Sequence, residues 1–165
     1  MPASRRKVRG LPEPMRVYRI GDPAGSYPIY SGEGAAMVEG RWHRRGQEVI
    51  YTSAHYSTAM LEKLAHWNGH LPPNQHYVEI EIPVATSYEV VTKDSLPEWT
   101  DASRARAFGS RWIDERRSAI LVVPSFVARP ETNVLINPAH PEFSKITCGL
   151  EIPVAWDLRL FDLPQ

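Results

Sequence analysis

The sequence predicts a single α+β domain of short strands with flanking helices. Short segments of alternating or continuous apolar residues, typical of strands, outnumber the two segments with helical spacing. The 15 prolines fall mostly between these segments, as Pro83, Pro124 and Pro138 do, which indicates short irregular connections. A regular alternation of strands and helices is absent, so a doubly wound parallel sheet is not expected.

Roughly seven segments are predicted as strands. His76 to Ile82 alternates strictly and is the clearest half-buried strand, while Ala119 to Val123 is an apolar run short enough for a buried one. Two further expectations are a short turn or helical turn at 140–146 and a long terminal strand at 152–163. The remaining predicted strands are 15–20, 49–51, 88–92 and 133–137.

Two helices are predicted. The first follows Ser53, a good N-cap residue, with Met60 and Leu61 on its apolar face, and it closes at Asn68-Gly69. The second spans 100–116, with Thr100 or Asp101 as its cap. Residues 1–14 are expected to form a flexible basic tail, and residues 15–165 the domain.

Composition restricts the function. The chain has 165 residues, and 19 basic side chains balance 19 acidic ones, which argues against direct nucleic-acid binding. The single cysteine, Cys148, cannot form an internal disulfide, which fits a reducing cytoplasm. No apolar run is long enough to cross a membrane.

Several familiar sites are disfavoured. Gly32-Glu33-Gly34 lacks the third glycine of a dinucleotide fingerprint and the lysine of a phosphate-binding loop. His66 and His70 have helical spacing, but Asn68-Gly69 ends the helix between them, so no metal site is expected. The nucleophile-elbow motif of serine hydrolases is missing as well.

The stretch from Gly40 to Glu62 carries the most chemistry. It places a basic loop with Arg41, an aromatic Tyr51 at a strand end and the acid Glu62 on the next helix close together in sequence. Such a set can hold an anionic, ring-bearing ligand. Glu62 could instead be a solvated residue paired with His66, and Tyr51 a core aromatic. Arg19 lies in an apolar strand, where an inward-facing charge needs a partner.

These residues together resemble the RES domain family. The resemblance rests on Arg19 in Val17-Tyr18-Arg19-Ile20, on Gly40-Arg41-Trp42 and Ile50-Tyr51-Thr52-Ser53, on Glu62, on Pro124-Ser125-Phe126 and on the segment 133–141; it covers about residues 15–161. It implies a fold similar to diphtheria-toxin-type ADP-ribosyltransferases, with NAD bound between small mixed sheets. It also implies a cytoplasmic toxin of a type II toxin–antitoxin module, neutralised by an Xre-like helix-turn-helix antitoxin that covers the site.

The resemblance further implies an activity and a site. The expected reaction is cleavage of the nicotinamide–ribose bond of NAD, by phosphate or water, without a metal. An alternative is transfer of ADP-ribose to a protein, and a second alternative is a nucleotide-binding module without turnover. An RNA-cleaving toxin is disfavoured by the charge balance. Arg19, Tyr51 and Glu62 are the expected catalytic set, no role is assigned to His43, and the other expected NAD contacts are Gly32, Gly34, Arg41, Ser53, Ser125 and Asn137.

Overall fold

A computed structural model describes residues 8–164 of the chain. Its strands are β1 Arg9–Gly10, β2 Met15–Gly21, β3 Ile50–Ser53, β4 His76–Ile82, β5 Ser87–Val90, β6 Ile120–Pro124, β7 Thr132–Ile136, β8 Thr147–Cys148 and β9 Ile152–Pro153. The α-helices are α1 Tyr56–His66 and α2 Ala102–Glu115, and short 3-10 helices span Ala35–Met37, Pro141–Lys145 and Leu158–Leu160. None of the helices within this described part is long and apolar enough to span a membrane.

The strands are joined in one mixed sheet of order β1-β5-β6-β7-β3-β2-β4-β8, with β9 also paired to β4. The α+β class is therefore confirmed, although the strands expected to form separate small sheets share hydrogen bonds throughout. Only the β5–β6 pairing is parallel among the described strands, and α2 lies between these two strands in the chain. This arrangement is one isolated β-α-β unit, consistent with the absence of a regular alternation in the sequence.

The sheet is buried on both faces where β6 and β7 run through its centre. Ile120 and Val134 belong to one apolar cluster, whereas Leu121 and Leu135, one position further along each strand, belong to another. Successive side chains of a strand point to opposite faces, which explains the continuous apolar runs at 120–123 in β6 and at 134–136 in β7. The second cluster includes Trp112 of α2, so this helix covers that face.

Several sequence-based boundaries need correction. The chain enters the sheet before Met15, because β1 pairs with β5 and Leu11 exchanges backbone hydrogen bonds with Ala85 and Thr86. Leu11 is also buried, so part of the expected tail belongs to the core. Residues 1–7 of that tail lie outside the described residues.

The C-terminal segment and the start of α1 also differ from expectation. The terminal strand is limited to β9, and Leu158 and Leu160 lie in a 3-10 helix with their side chains exposed. Ser53 does not cap α1; it ends β3, and His55 occupies the N-cap position. Leu61 is exposed, because α1 buries Thr58 and Ala59 instead. Asp101 caps α2 as predicted, accepting from the Arg104 amide.

Candidate active site

A cleft of about 240 Å³ opens where β2 and β3 separate. These neighbouring strands are in register at one residue pair only, Tyr18 with Ser53, whereas β2 pairs with β4 along its whole length. The strands diverge beyond that pair, and their backbones leave a gap in the sheet. The volume is below the roughly 300–1,000 Å³ of a typical ligand pocket, so the cleft has room for only part of a ligand that fills such a pocket.

Helix α1 forms one wall of this cleft. Ala59, Glu62, Lys63 and His66 all line the cleft. Their spacing of three, four and seven residues from Ala59 places them on one face of a helix. Three of the four side chains are polar or charged, so the helix presents a polar face to the gap. The other lining residues are Tyr18, Arg19, Ile20, Tyr51, Thr52, Ser53 and Asn133.

Glu62 is fixed by two hydrogen bonds from the neighbouring strands. Its Oε1 accepts from the Asn133 side-chain nitrogen at 2.7 Å and from the Ser125 hydroxyl at 3.0 Å. Asn133 is itself oriented by Ser53, whose hydroxyl donates to its Oδ1 at 2.9 Å. Within residues 8–164, no hydrogen bond or ion pair joins Glu62 to His66. The alternative of a solvated Glu62 paired with His66 is therefore wrong. The second carboxylate oxygen remains available to a ligand.

Arg19 bridges the gap between β2 and β3. Its Nε donates to the Ile29 carbonyl at 2.6 Å and one Nη donates to the Tyr51 carbonyl at 2.9 Å. Burial lowers the pKa of the Arg19 guanidinium from its usual value, and a guanidinium nonetheless keeps its charge in proteins. The charge therefore sits at the cleft with carbonyl partners and, within the described chain, no carboxylate partner.

Tyr51 is held by its hydroxyl. The phenol oxygen lies 2.6 Å from His43 Nδ1 and accepts from the Trp42 amide at 3.2 Å. His43 Nε2 lies 2.7 Å from the Ala35 carbonyl and 2.9 Å from the Val38 carbonyl, so this nitrogen carries the proton and Nδ1 accepts from the phenol. Burial raises the pKa of Tyr51 to about 12, which keeps the phenol protonated. The ring is thus fixed at the cleft wall, and His43 acts by anchoring it.

Gly40 permits this close arrangement. A Cβ at position 40 would lie 2.6 Å from His43 Cε1 and 2.8 Å from the Tyr51 hydroxyl oxygen. The glycine of the Gly40-Arg41-Trp42 motif thus serves the packing around the tyrosine anchor. Trp42, two positions later, is buried in the apolar cluster that includes Trp112 of α2.

Ser125 and Asn137 are both completely buried, so neither is placed to contact a ligand directly. Ser125 reaches the cleft only through its bond to Glu62, and its hydroxyl also accepts from the Ala128 amide. The Asn137 side chain donates to the Ile113 carbonyl and accepts from the Ala139 amide. Asn137 therefore ties α2 to the end of β7.

Arg41, Gly32 and Gly34 also lie outside the cleft lining. Arg41 donates to the Thr100 carbonyl at 3.3 Å and stacks over the Phe126 ring at 4.1 Å. Gly32 is buried, and a Cβ there would meet the Val49 amide at 3.0 Å, so the close approach it permits is to the protein. Gly34 is exposed at the start of the first 3-10 helix. Of the residues expected from sequence, the structure brings together Arg19, Tyr51, Ser53 and Glu62.

The structure adds cleft residues that the sequence interpretation missed, chiefly Asn133, Lys63 and Tyr18. Asn133 directly precedes the apolar run 134–136 of β7, and a polar residue next to such a run is a signal that could have been used. Lys63 could have been found by marking every residue on the Glu62 face of α1, because a lysine on a face that packs against the sheet is unusual. Tyr18 carries no comparable signal.

Within residues 8–164, no group of three or more His, Cys, Asp or Glu side chains is close enough together to hold a metal ion.

Comparisons with known proteins identify the family of this chain. The model of the RES domain matches residues 16–157. The chain belongs to the RES domain family. Over 134 residues it is 42% identical to a protein of Sphingobium sp. (strain YBL2) named "Prs ADP-ribosylating toxin", covering 76% of this chain and 83% of that protein. Over 140 residues it is 33% identical to "Toxin Res" of Pseudomonas putida, covering 82% of this chain and 95% of that protein.

A solved structure supports the fold of this RES domain. The match is to a chain of the "M.tuberculosis MbcT-MbcA toxin-antitoxin complex", with a TM-score of 0.67 and 15% sequence identity, covering 88% of this chain and 87% of that chain. At this identity the similarity shows the fold alone. Both of these relatives of the RES domain are named as toxins, and the neighbour in structure comes from a toxin–antitoxin complex.

Proposed function

We propose that this RES domain is a toxin that cleaves the nicotinamide–ribose bond of NAD. The observation that carries the proposal is Glu62: its carboxylate is held by Asn133 and Ser125 in the cleft that Arg19 also lines. Membership of the family and the relative named as an ADP-ribosylating toxin support it. NAD is consumed, so it is a substrate, and no metal takes part.

Glu62 would act on the breaking bond. Positive charge develops on the ribose as nicotinamide leaves, as it does on a sugar ring during glycoside hydrolysis. A carboxylate whose orientation is fixed in advance stabilises such charge without further reorganisation. The oxygen of Glu62 that has no partner among the described residues would face the ribose, while its other oxygen keeps the bonds from Asn133 and Ser125.

Tyr51 and Arg19 would place the substrate. The Tyr51 ring is fixed by its hydroxyl to His43, so a nicotinamide ring can pack against a surface that does not move. The Arg19 guanidinium spends two donors on carbonyls and has further N–H groups for the dinucleotide phosphates. Arg19 would therefore have two roles: it joins β2 to neighbouring backbone carbonyls, and it binds the substrate phosphates.

The acceptor of ADP-ribose separates two versions of the function. Water or phosphate would give NAD breakdown, and the absence of an obvious inserted docking arm in a chain of 165 residues favours it. Transfer to a protein is the second candidate, and the 42% identity to a protein named "Prs ADP-ribosylating toxin" favours that version. Both versions share bond cleavage at Glu62.

A neutralising partner follows from the toxin proposal. An enzyme that consumes NAD would harm the cell that makes it, so an antitoxin is required. The neighbour in structure is a chain of a toxin–antitoxin complex, which supports a partner of this kind. We propose an Xre-like helix-turn-helix protein that covers the cleft in the cytoplasm.

The direct test is to mix purified protein with NAD and measure free nicotinamide, with and without phosphate. Labelled NAD is then added together with cell lysate to detect modified protein. Glu62→Gln is the matched control, since the glutamine oxygen can still accept both hydrogen bonds. Release of nicotinamide by the wild type, lost in the variant, is the expected result.

The outcome also separates the competing functions. A nucleotide-binding module would bind NAD without releasing nicotinamide, and phosphate-dependent turnover would favour breakdown of NAD. One labelled lysate band with little turnover in buffer would favour transfer to protein. Wild-type protein that neither arrests growth when expressed alone nor releases nicotinamide would contradict the proposal.

A further inference from the structure

Lys63 carries the second positive charge of the cleft, and the NAD-cleavage proposal gives it no role. It lies on the same face of α1 as Glu62 and lines the gap between β2 and β3 together with Arg19. Within the described residues, neither cation takes part in an ion pair. Two half-buried cations in one cleft, without a carboxylate partner, indicate a place for an anion.

The electrostatics of Lys63 agree with its position. Burial and, to a smaller extent, the Arg19 charge together lower the pKa of the Lys63 ammonium to about 8. The protonated form of Lys63 is therefore less favoured in the cleft than it is for a lysine in water. An anion bound between the two cations would stabilise the protonated form of Lys63 and gain affinity in return.

The chemistry of the anion follows from the two donors. A guanidinium presents several N–H groups in a plane, and an ammonium is a compact point charge; together they suit adjacent phosphate groups. Glu62 excludes a carboxylate or phosphate from its own end of the lining by like-charge repulsion. An anion in this cleft is therefore expected at the two cations, Arg19 and Lys63, and not at Glu62.

We propose that Lys63 and Arg19 together form a diphosphate-binding site, with Lys63 as the residue that binds the dinucleotide backbone beside Glu62. The identity of the dinucleotide as NAD rests on the proposed function, whereas the diphosphate site rests on the two cations. Binding there would leave the ribose next to Glu62, because Glu62 and Lys63 are consecutive on the helix.

Inorganic pyrophosphate tests the site without depending on NAD chemistry. Binding is measured by calorimetry for the wild type, Lys63→Gln and Lys93→Gln, the last being an exposed lysine outside the cleft. We expect Lys63→Gln to weaken pyrophosphate binding by roughly 10-fold or more, the scale of one charge-assisted bond. Lys93→Gln should bind as the wild type does. Equal affinity of the wild type and Lys63→Gln, or no pyrophosphate binding by the wild type, overturns the proposal.

The pH dependence of ADP-ribose binding provides a second readout. The diphosphate of ADP-ribose keeps its charge from about pH 7 to about pH 9, so a loss of affinity over this range reports on the protein. Affinity should be full below the pKa of Lys63 and fall above it, and Lys63→Arg should flatten the curve because arginine stays charged. The titratable and charged groups that line the cleft with Lys63 are Arg19 and Tyr18 on β2, Tyr51 on β3, and Glu62 and His66 on α1.

His66→Gln is included so that the pH effect can be assigned to Lys63. The curve should keep its shape in His66→Gln, and a curve that flattens there instead would refute the assignment. Nicotinamide release separates this proposal from the proposed function. Wild-type turnover with unchanged pyrophosphate and ADP-ribose binding in Lys63→Gln would refute the Lys63 site alone. Pyrophosphate binding that depends on Lys63, without any NAD turnover, would refute the NAD function alone.

Discussion

Asn133 provides the sharpest test of how the cleft works. Its side-chain nitrogen donates to Glu62 at 2.7 Å, and its side-chain oxygen accepts from Ser53 at 2.9 Å. Asn133→Ala removes both bonds and leaves Glu62 with the single bond from Ser125. A hydrogen bond to a charged group contributes about 1.5–3 kcal/mol. If that free energy serves to orient the carboxylate for the transition state, turnover should fall by roughly 10–100-fold, since each 1.36 kcal/mol is tenfold in rate.

The assay is steady-state release of nicotinamide, with thermal unfolding as the check that the variant folds. We expect kcat to fall and KM to change little, because Asn133 does not carry the substrate charge. Thr132→Ala, the neighbouring position on β7, is the control. Full kcat in folded Asn133→Ala would show that Glu62 needs no help from β7. A double variant with Glu62→Gln that is far slower than Glu62→Gln alone would show that Asn133 acts independently of Glu62.

Asn133→Asp makes a different prediction from the same geometry. It keeps an acceptor for Ser53 but places a second carboxylate beside Glu62 Oε1. Two carboxylates at this distance cannot both ionise easily, so the pKa for removing the second proton of the pair rises. Since the ionised form of Glu62 stabilises the ribosyl charge, the acid limb of the activity profile should move to higher pH than in the wild type. A pH profile identical to that of the wild type would refute this.

Three further variants test separate parts of the site. Glu62→Gln should keep the fold and lower turnover by roughly 10²–10³-fold, as measured by nicotinamide release; near-normal turnover would remove Glu62 from the mechanism. Tyr51→Phe keeps the ring but leaves His43 and the Trp42 amide without their partner, so urea unfolding should show a loss of about 1–3 kcal/mol with turnover within a few-fold of the wild type. A much larger loss of turnover would give the hydroxyl a chemical role. Gly109→Ala places a Cβ 1.9 Å from the Trp42 carbonyl oxygen, so the free energy of unfolding should fall by about 3 kcal/mol or more, and a stable variant would contradict the packing described.

The order and type of most elements were determined by the sequence alone, because they follow from local periodicity. The alternation of β4, the apolar runs of β6 and β7, and the Asp101 cap of α2 are each visible within a few residues. Arg19 was recognisable for the same reason: a charge in an apolar strand needs a partner wherever the strand lies. The prediction of a strand at 152–163 was wrong because it assumed that apolar side chains such as Leu158 and Leu160 are buried, and they are exposed. Exposure depends on the tertiary structure and not on the local sequence.

The tertiary structure decided how the cleft is assembled. Glu62 receives its bonds from Ser125 and Asn133, which are 63 and 71 residues away in the chain, and no local pattern specifies such pairings. The gap exists because β2 and β3 pair at one residue only. Their other pairings, β2 with β4 and β3 with β7, are long-range contacts that no local pattern specifies. Lys63 belongs to the site because α1 packs beside β2 and β3. The sequence of α1 alone does not specify which strands its face will meet.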